Sequence, residues 1–210
     1  IPNIYGITNH IIRNANCGIH LNKNPLFLGV DKKNFSFTRK LKKLTNIIFI
    51  GSLIKRKRIF ELLEIAKEFE NIKFHIIGSG PLKSEILKFS SKNVVLYDYV
   101  NNSEISNILF DMDLNILLSH SEGFPKVILE TAAASIPSIV YNTYGMQEFI
   151  KTNQNGFVLK NKNEVIEKIH ELIRFPKLLH KNSIGAYKLS KDFDWNIQIK
   201  KWETEIDLLI

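Results

Sequence analysis

The chain has 210 residues, of which 44% are hydrophobic, enough for one α/β domain with appendages and a sizeable core. No apolar run approaches the roughly 20 residues that a membrane-spanning helix needs, and no charged and apolar leader opens the chain, so no signal peptide is expected. A single cysteine, Cys17, excludes an internal disulfide and cysteine-based zinc sites and fits a reducing compartment.

The formal net charge of +8 raises the question of an anionic partner: nucleic acid, phospholipid or nucleotide. Lysines are spread along the chain among many asparagines and isoleucines, a pattern that solvated faces account for. The denser runs are Arg39 to Lys43 and Lys55-Arg56-Lys57-Arg58. Only the second falls where a specific role can be argued.

In chain order, Thr8 to Asn16 reads as helical and Leu26-Phe27-Leu28 as extended, ending in Gly29. The first forty residues do not complete a domain and read as the tail of another one. Asn46 to Gly51 is a β-branched run closed by glycine, and residues 58–69 place Ile59, Leu62, Leu63, Ala66 and Phe69 at helical spacing. The unit repeats, with a strand Phe74 to Gly78 and a helix opened by Ser79-Gly80-Pro81. A strand at Asn93 to Leu96 and a short helix from Ser103 to Phe110 follow. Then come a buried strand over 113–118, a helix from Pro125, a strand Ser138 to Tyr141, a helix near Met146 to Lys151, and a strand at Phe157-Val158-Leu159. Beyond Asn163 the chain reads as helical, broken at Pro176, with a last helix over 195–210. Apolar strands alternating with helices predict a doubly wound, Rossmann-like α/β fold with a parallel sheet and a C-terminal helical segment.

The segment His120 to Glu130 sets two glutamates around a turn, with Pro125 at a helix start. Pro loses nothing at the first helical position, and a strand-loop-helix junction lies at the ligand crevice of an open α/β sheet. The N–H groups of Lys126, Val127 and Ile128 are expected to point from the helix start as a phosphate site. Glu122 and Glu130 are suited to accept hydrogen bonds from sugar hydroxyls. Alone, the segment also fits a surface loop before an ordinary amphipathic helix. Two more strand ends carry comparable chemistry, Gly51-Ser52 followed by Lys57, and Gly78-Ser79-Gly80. A lysine above a glycine turn offers a point charge to a diphosphate.

These motifs, in this order, resemble the C-terminal donor-binding domain of GT-B glycosyltransferases of family 4 (group 1), from about Leu26 to the C-terminus. Gly29-Val30-Asp31 resembles the interdomain linker, and Phe49 to Leu53 with Lys57 the glycine turn and its phosphate-binding lysine. Glu122 and Glu130 match the paired-glutamate motif. Pro137, Glu148, Asn155-Gly156-Phe157 and Asp194-Trp195 follow in place. The resemblance implies residues 1–30 as the remnant of an acceptor domain with its linker, 31–190 as the nucleotide-sugar domain and 191–210 as a crossing helix. It implies Lys57 on the donor diphosphate and the backbone from Gly123, Phe124 and Pro125 to Lys126 and Val127 near phosphate or sugar. Glu130 would lie on the ribose, Glu122 on the transferred sugar, and the backbone near Val100 at the base. Lys57 and Glu122 are then the residues of the reaction, with Gly51 and Ser52 lining the donor site. The implied activity is retaining, metal-independent transfer from a UDP- or GDP-sugar to a glycan or lipid-linked hydroxyl in bacterial surface polysaccharide synthesis. No cofactor is implied, no nucleic-acid partner is expected, and the expected place is the cytoplasm, with peripheral association at the inner membrane face as an open alternative. The alternative is a non-catalytic donor-binding remnant or subunit that needs a separate N-terminal polypeptide.

The chain departs from the family at six positions, among them Leu28, which stands where asparagine is usual in the linker. Ser52 replaces an arginine that assists the lysine, leaving Arg56 or Arg58 as substitutes. Arg58, Asp98, Ser135 and Tyr144 stand where glycine is usual. Other motifs are discounted. Asp111-Met112-Asp113 has the spacing of a metal-binding pair but begins a strand on the side away from the crevice. His75 reads as a satisfied core residue, His120 as structural or solvent-facing, and Trp195 with Trp202 as a packing stripe.

Overall fold

Six aliphatic and β-branched stretches become strands: β1 Asn46–Ile50, β2 Lys73–Ile77, β3 Val94–Tyr97, β4 Leu114–Leu117, β5 Ser138–Tyr141 and β6 Gly156–Leu159. In this computed structural model, which describes residues 4–15, 22, 24–35, 43–98 and 100–208, they form one sheet in the order β3-β2-β1-β4-β5-β6. Cys17, Asn16 and residues 39–42 of the first basic run lie outside the described residues. Every pairing is parallel, with Ile48 opposite His75 on one side of β1 and Asn115 on the other. β4 and β5 are buried along their whole length, which is why they read as mostly apolar rather than strictly alternating; their polar residues Asn115 and Ser138 hydrogen-bond each other at 2.9 Å. The order places the chain reversal between β1 and β4. In open α/β sheets that is the switch point, and the crevice lies outside the carboxyl ends of those two strands.

The helices are α1 Asn9–Asn14, α2 Ile59–Lys67, α3 Lys83–Phe89, α4 Asn102–Phe110, α5 Lys126–Ala133, α6 Lys162–Arg174, α7 Pro176–Asp192 and α8 Trp195–Asp207. α2 packs on α3 and α6, and α5 on α7. Single-residue signals set their ends. Asn161 and Asp194 cap α6 and α8 by accepting from Glu164 N and Asn196 N, and Pro176 opens α7 at its first turn. After α5, the Ser135 N–H donates to Ala132 O and the Ile136 N–H to Thr131 O, a Schellman closure with Ser135 left-handed at φ 59°.

The helix expected over 146–151 is a single 3-10 turn, Met146–Glu148. Asn155 ends it: its side chain accepts from Lys151 N at 2.7 Å and donates to Phe149 O at 2.9 Å, occupying backbone groups that a longer helix would pair internally.

The N-terminal segment docks on the C-terminal helices. Val30 N–H donates to Phe193 O and Trp195 N–H to Val30 O, while Lys32 pairs with Asp194 at 2.7 Å. Gly29 permits this, since a Cβ there would lie 2.8 Å from the Trp195 Cα. Phe27 joins Phe149 and Phe193 in an aromatic cluster, and its carbonyl accepts from the Trp202 indole at 3.0 Å.

Candidate functional site

Two loops meet at the switch point. The first leaves β1 through Gly51 and Ser52 and closes in a 3-10 turn, Lys55–Lys57. The second leaves β4 and reaches α5. They are tied backbone to backbone, His120 N–H donating to Arg56 O at 2.9 Å, and the Arg56 guanidinium donates to Ser121 O. A third loop, 78–80, lies against the first: Leu53 N–H donates to Ser79 O and Leu82 N–H to Leu53 O. A Cβ on Gly78 would overlap the Gly51 carbonyl oxygen, and one on Gly80 would lie 2.6 Å from Leu53 O, so both glycines exist for this approach.

The charged residues converge here. Lys57 runs over Gly51, whose Cβ position is 3.7 Å from the lysine Cε, and its ammonium forms an ion pair with Glu122 Oε1. Arg56 approaches Glu122 Oε2 at 3.6 Å. Of the two arginines left to replace the one missing at Ser52, Arg56 therefore reaches the site. Arg58 turns away, with its guanidinium over the Tyr141 ring at 5.1 Å, bonded to Glu61 at 3.2 Å and to His120 Nδ1 at 3.0 Å. His120 is exposed and bound up in that contact.

α5 begins with Pro125 as its N-cap residue, one position earlier than the first-turn place expected for it, and Lys126 is the first helical residue. The helix start is less open than expected. Lys126 N–H donates to Phe124 O and Ile128 N–H to Pro125 O, each at 2.9 Å, because the tight entry folds back on itself. The N–H groups of Gly123, Phe124 and Val127 have no acceptor among the described residues. The free donors thus sit half a turn earlier than predicted, in the loop as well as the helix. Nothing comes within 4 Å of the place a Cβ would take at Gly123, so the packing does not require glycine there. Phe124 anchors the loop edge-on against Phe149, ring centroids 5.4 Å apart.

Glu130 lies one turn inside α5, its side chain 16% exposed, with Lys126 3.7 Å away. Burial pushes its carboxyl above the ordinary carboxylate range, and the lysine only partly opposes this. Ser52 is exposed beside Lys57, while Val100 is half-buried after β3, two strands from β1 at the sheet edge. Glu148 faces the N-terminal segment, accepting from Asn9 N and Nδ2 at 3.0 and 3.2 Å. Tyr144 projects to solvent and rests on the His10 ring at 4.8 Å. Three of the four positions where the sequence lacks the usual glycine, Arg58, Ser135 and Tyr144, have positive φ, 52°, 59° and 45°.

A model of the family described as "Glycosyl transferases group 1" matches residues 30–189. An uncharacterized glycosyltransferase of Haemophilus influenzae is 28% identical over 209 residues, 93% of this chain and 55% of its own length. A poly(ribitol-phosphate) alpha-N-acetylglucosaminyltransferase of Staphylococcus aureus is 29% identical over 168 residues, 74% of this chain and 32% of its own length. Among solved structures, an S. aureus TarM mutant in complex with fondaparinux, alpha-GlcNAc-glycerol and UDP superimposes with a TM-score of 0.81 at 23% identity, covering 96% of this chain and 43% of that one. The chain spans about half the length, or less, of the curated relatives it matches.

Proposed function

The chain belongs to the group 1 glycosyl transferases, and from that premise we propose that it is the C-terminal, donor-binding part of a family 4 GT-B enzyme. It binds a nucleoside-diphosphate sugar, UDP- or GDP-linked, for transfer to a hydroxyl of a glycan or glycolipid. Transfer retains configuration and uses no metal. Residues 1–30 then belong to the acceptor domain with its linker, and 191–210 form the helix that crosses back to it.

One observation carries the reading: Lys57, Arg56 and Glu122 meet at the switch point, beside three N–H groups with no acceptor among the described residues and a partly buried Glu130. Two cations and a helix start supply positive charge where the leaving diphosphate gains negative charge, the place where fixed charge lowers a barrier most. Glu130, in the second turn of α5, accepts the ribose hydroxyls, and Glu122 those of the transferred sugar. In the free protein Glu122 holds both cations, so donor binding exchanges one anion for another: the diphosphate draws Lys57 and Arg56, and Glu122 turns to the sugar. Gly123 leaves the room this needs.

The chain spans 55% of the length of its Haemophilus influenzae relative, and turnover is a property of the whole protein. Donor binding is therefore the property to measure. A thermal-shift screen of UDP-, GDP- and ADP-sugars identifies the base. In calorimetry with that donor, Glu130→Ala is expected to abolish measurable binding with the fold intact; unchanged affinity sinks the assignment. The wild type carries a pH signature as well. The ionised carboxylate is the form that accepts hydroxyls, and burial raises its pKa, so affinity falls on acidification at a higher pH than an ordinary carboxylate gives.

A further inference from the structure

Arg58 stands in the left-handed region, at φ 52° and ψ 41°, a conformation that costs a residue with a side chain and that glycine adopts freely. Its backbone serves two elements. The N–H closes the Lys55–Lys57 turn on Lys55 O at 3.0 Å, and the carbonyl accepts from Leu62 N at 3.2 Å to start α2. Glycine would make both bonds without strain, so backbone geometry does not explain an arginine here. A strained residue of this kind persists when its side chain has a use.

The guanidinium joins three elements. One nitrogen donates to Glu61 Oε2 at 3.2 Å, and Glu61 Oε1 accepts from the Tyr141 hydroxyl at the end of β5. Another donates to His120 Nδ1 at 3.0 Å, since arginine has no acceptor to offer, and the planar group lies over the Tyr141 ring. Tyr141 is 2% exposed, and burial first and the Glu61 bond second raise its pKa, which keeps the phenol a donor. Arg58 follows Lys57, and His120 stands two residues before Glu122. One side chain therefore links the two loops that carry the ion pair of the site.

From this geometry we propose that Arg58 is a positioning residue, a fork that holds the Lys57 loop and the Glu122 loop at a fixed spacing while a donor binds. Two other ties join these loops: the His120 N–H to Arg56 O at 2.9 Å, and the Arg56 guanidinium to Ser121 O. In the function proposed, the diphosphate draws Arg56 to itself, which releases the second tie. Glu61, Tyr141 and His120 are not among the groups assigned to the donor, so the Arg58 tie persists and the backbone bond is not left alone. The purpose given to the tie rests on the donor reading; the tie itself does not.

The test has two arms, one of which needs no donor. Arg58→Gly removes the fork and relieves the backbone, so its melting temperature should stay within about 2 °C of the wild type. Hydrogen exchange followed by NMR should nevertheless speed up roughly tenfold at the His120 amide, with no change at the amides of α6, which report the fold. In calorimetry with UDP and with GDP, the diphosphate that the wild type binds should bind this variant roughly tenfold more weakly. Arg58→Lys keeps the charge and the strained backbone but cannot hold Glu61 and His120 together, so it should stay within about threefold of the glycine variant in both arms. Ser135→Gly gives the same backbone relief without breaking this network and should leave both readouts at wild-type values. Unchanged exchange at His120, unchanged affinity, or full recovery by lysine, which would make net charge the cause, overturns the proposal. So does faster exchange shared equally by α6, which would make the role structural. If the wild type binds neither diphosphate, the donor reading and the purpose of the tie fall together, and the exchange arm decides the tie alone.

Discussion

β1 and β4 carry polar chemistry at both ends, arranged in opposite ways. At the amino ends the groups close on one another. Asp113 Oδ2 accepts from Thr45 N, Thr45 Oγ1 and Asn46 N at 2.9 to 3.1 Å, and His75 bridges Tyr97 OH at 2.8 Å and Asn46 Oδ1 at 3.1 Å. At the carboxyl ends Lys57 and Arg56 converge on one carboxylate, and loop N–H groups lack acceptors among the described residues. The first arrangement completes the fold; the second leaves groups that a ligand can take over. The same residue types serve stability at one pole and, in the function proposed, binding at the other, and hydrogen-bond closure separates the two.

Changes at the closed pole should therefore cost stability and spare donor binding. Asp113→Ala removes a carboxylate that fastens the start of β1 to that of β4, and charge-assisted hydrogen bonds contribute about 1.5–3 kcal/mol each. With water partly replacing them, a loss of about 3 kcal/mol in urea unfolding is expected, with donor affinity unchanged in the protein that remains folded. A loss of affinity equal to that at Glu130 would erase the distinction between the poles.

At the open pole the signs reverse. Lys57→Gln should lower affinity for the bare nucleoside diphosphate and for the sugar donor alike, by about 2 kcal/mol or roughly thirtyfold, with little change in melting temperature. Glu122→Gln should behave differently. It frees both cations for the diphosphate and weakens the hold on the sugar, so the advantage of the sugar donor over the bare diphosphate shrinks by about tenfold. Parallel losses for both ligands in both variants would mean that Glu122 merely props up Lys57.

Much of this was legible in the sequence because the fold is written in local periodicity. Short runs such as Ile47 to Ile50 and the mostly apolar Leu114 to Leu117, alternating with helical stretches, read as strands covered on both faces, and the doubly wound arrangement and its crevice follow. The location of Lys57, Glu122 and Glu130 on that crevice follows from the strand ends that carry them. What was not legible depends on contacts between distant residues. Nothing local shows that Arg56 rather than Arg58 turns toward Glu122, since Tyr141 and Glu61, which draw Arg58 away, come from other elements. Nothing local shows that Asn155 cuts short the helix after Gly145.

The smallest expected effect tests the closed pole once more, at a residue where the sequence breaks its family's habit. Ser135 follows α5 with φ 59°, at the position of a Schellman closure where glycine avoids the clash of a Cβ with the backbone. A left-handed non-glycine residue costs about 1–2 kcal/mol, and glycine returns roughly 0.5–1 kcal/mol of that through the greater freedom of the unfolded chain. Ser135→Gly is thus expected to stabilise by about 0.5 kcal/mol in urea unfolding, a net of the two terms. The contact from Ser183 survives, because Ser183 Oγ donates to the Ser135 carbonyl rather than to its side chain. Donor affinity should not move, since the closure fixes the far end of α5 from the crevice. A destabilisation would show that the serine side chain, not the backbone, sets the end of this helix.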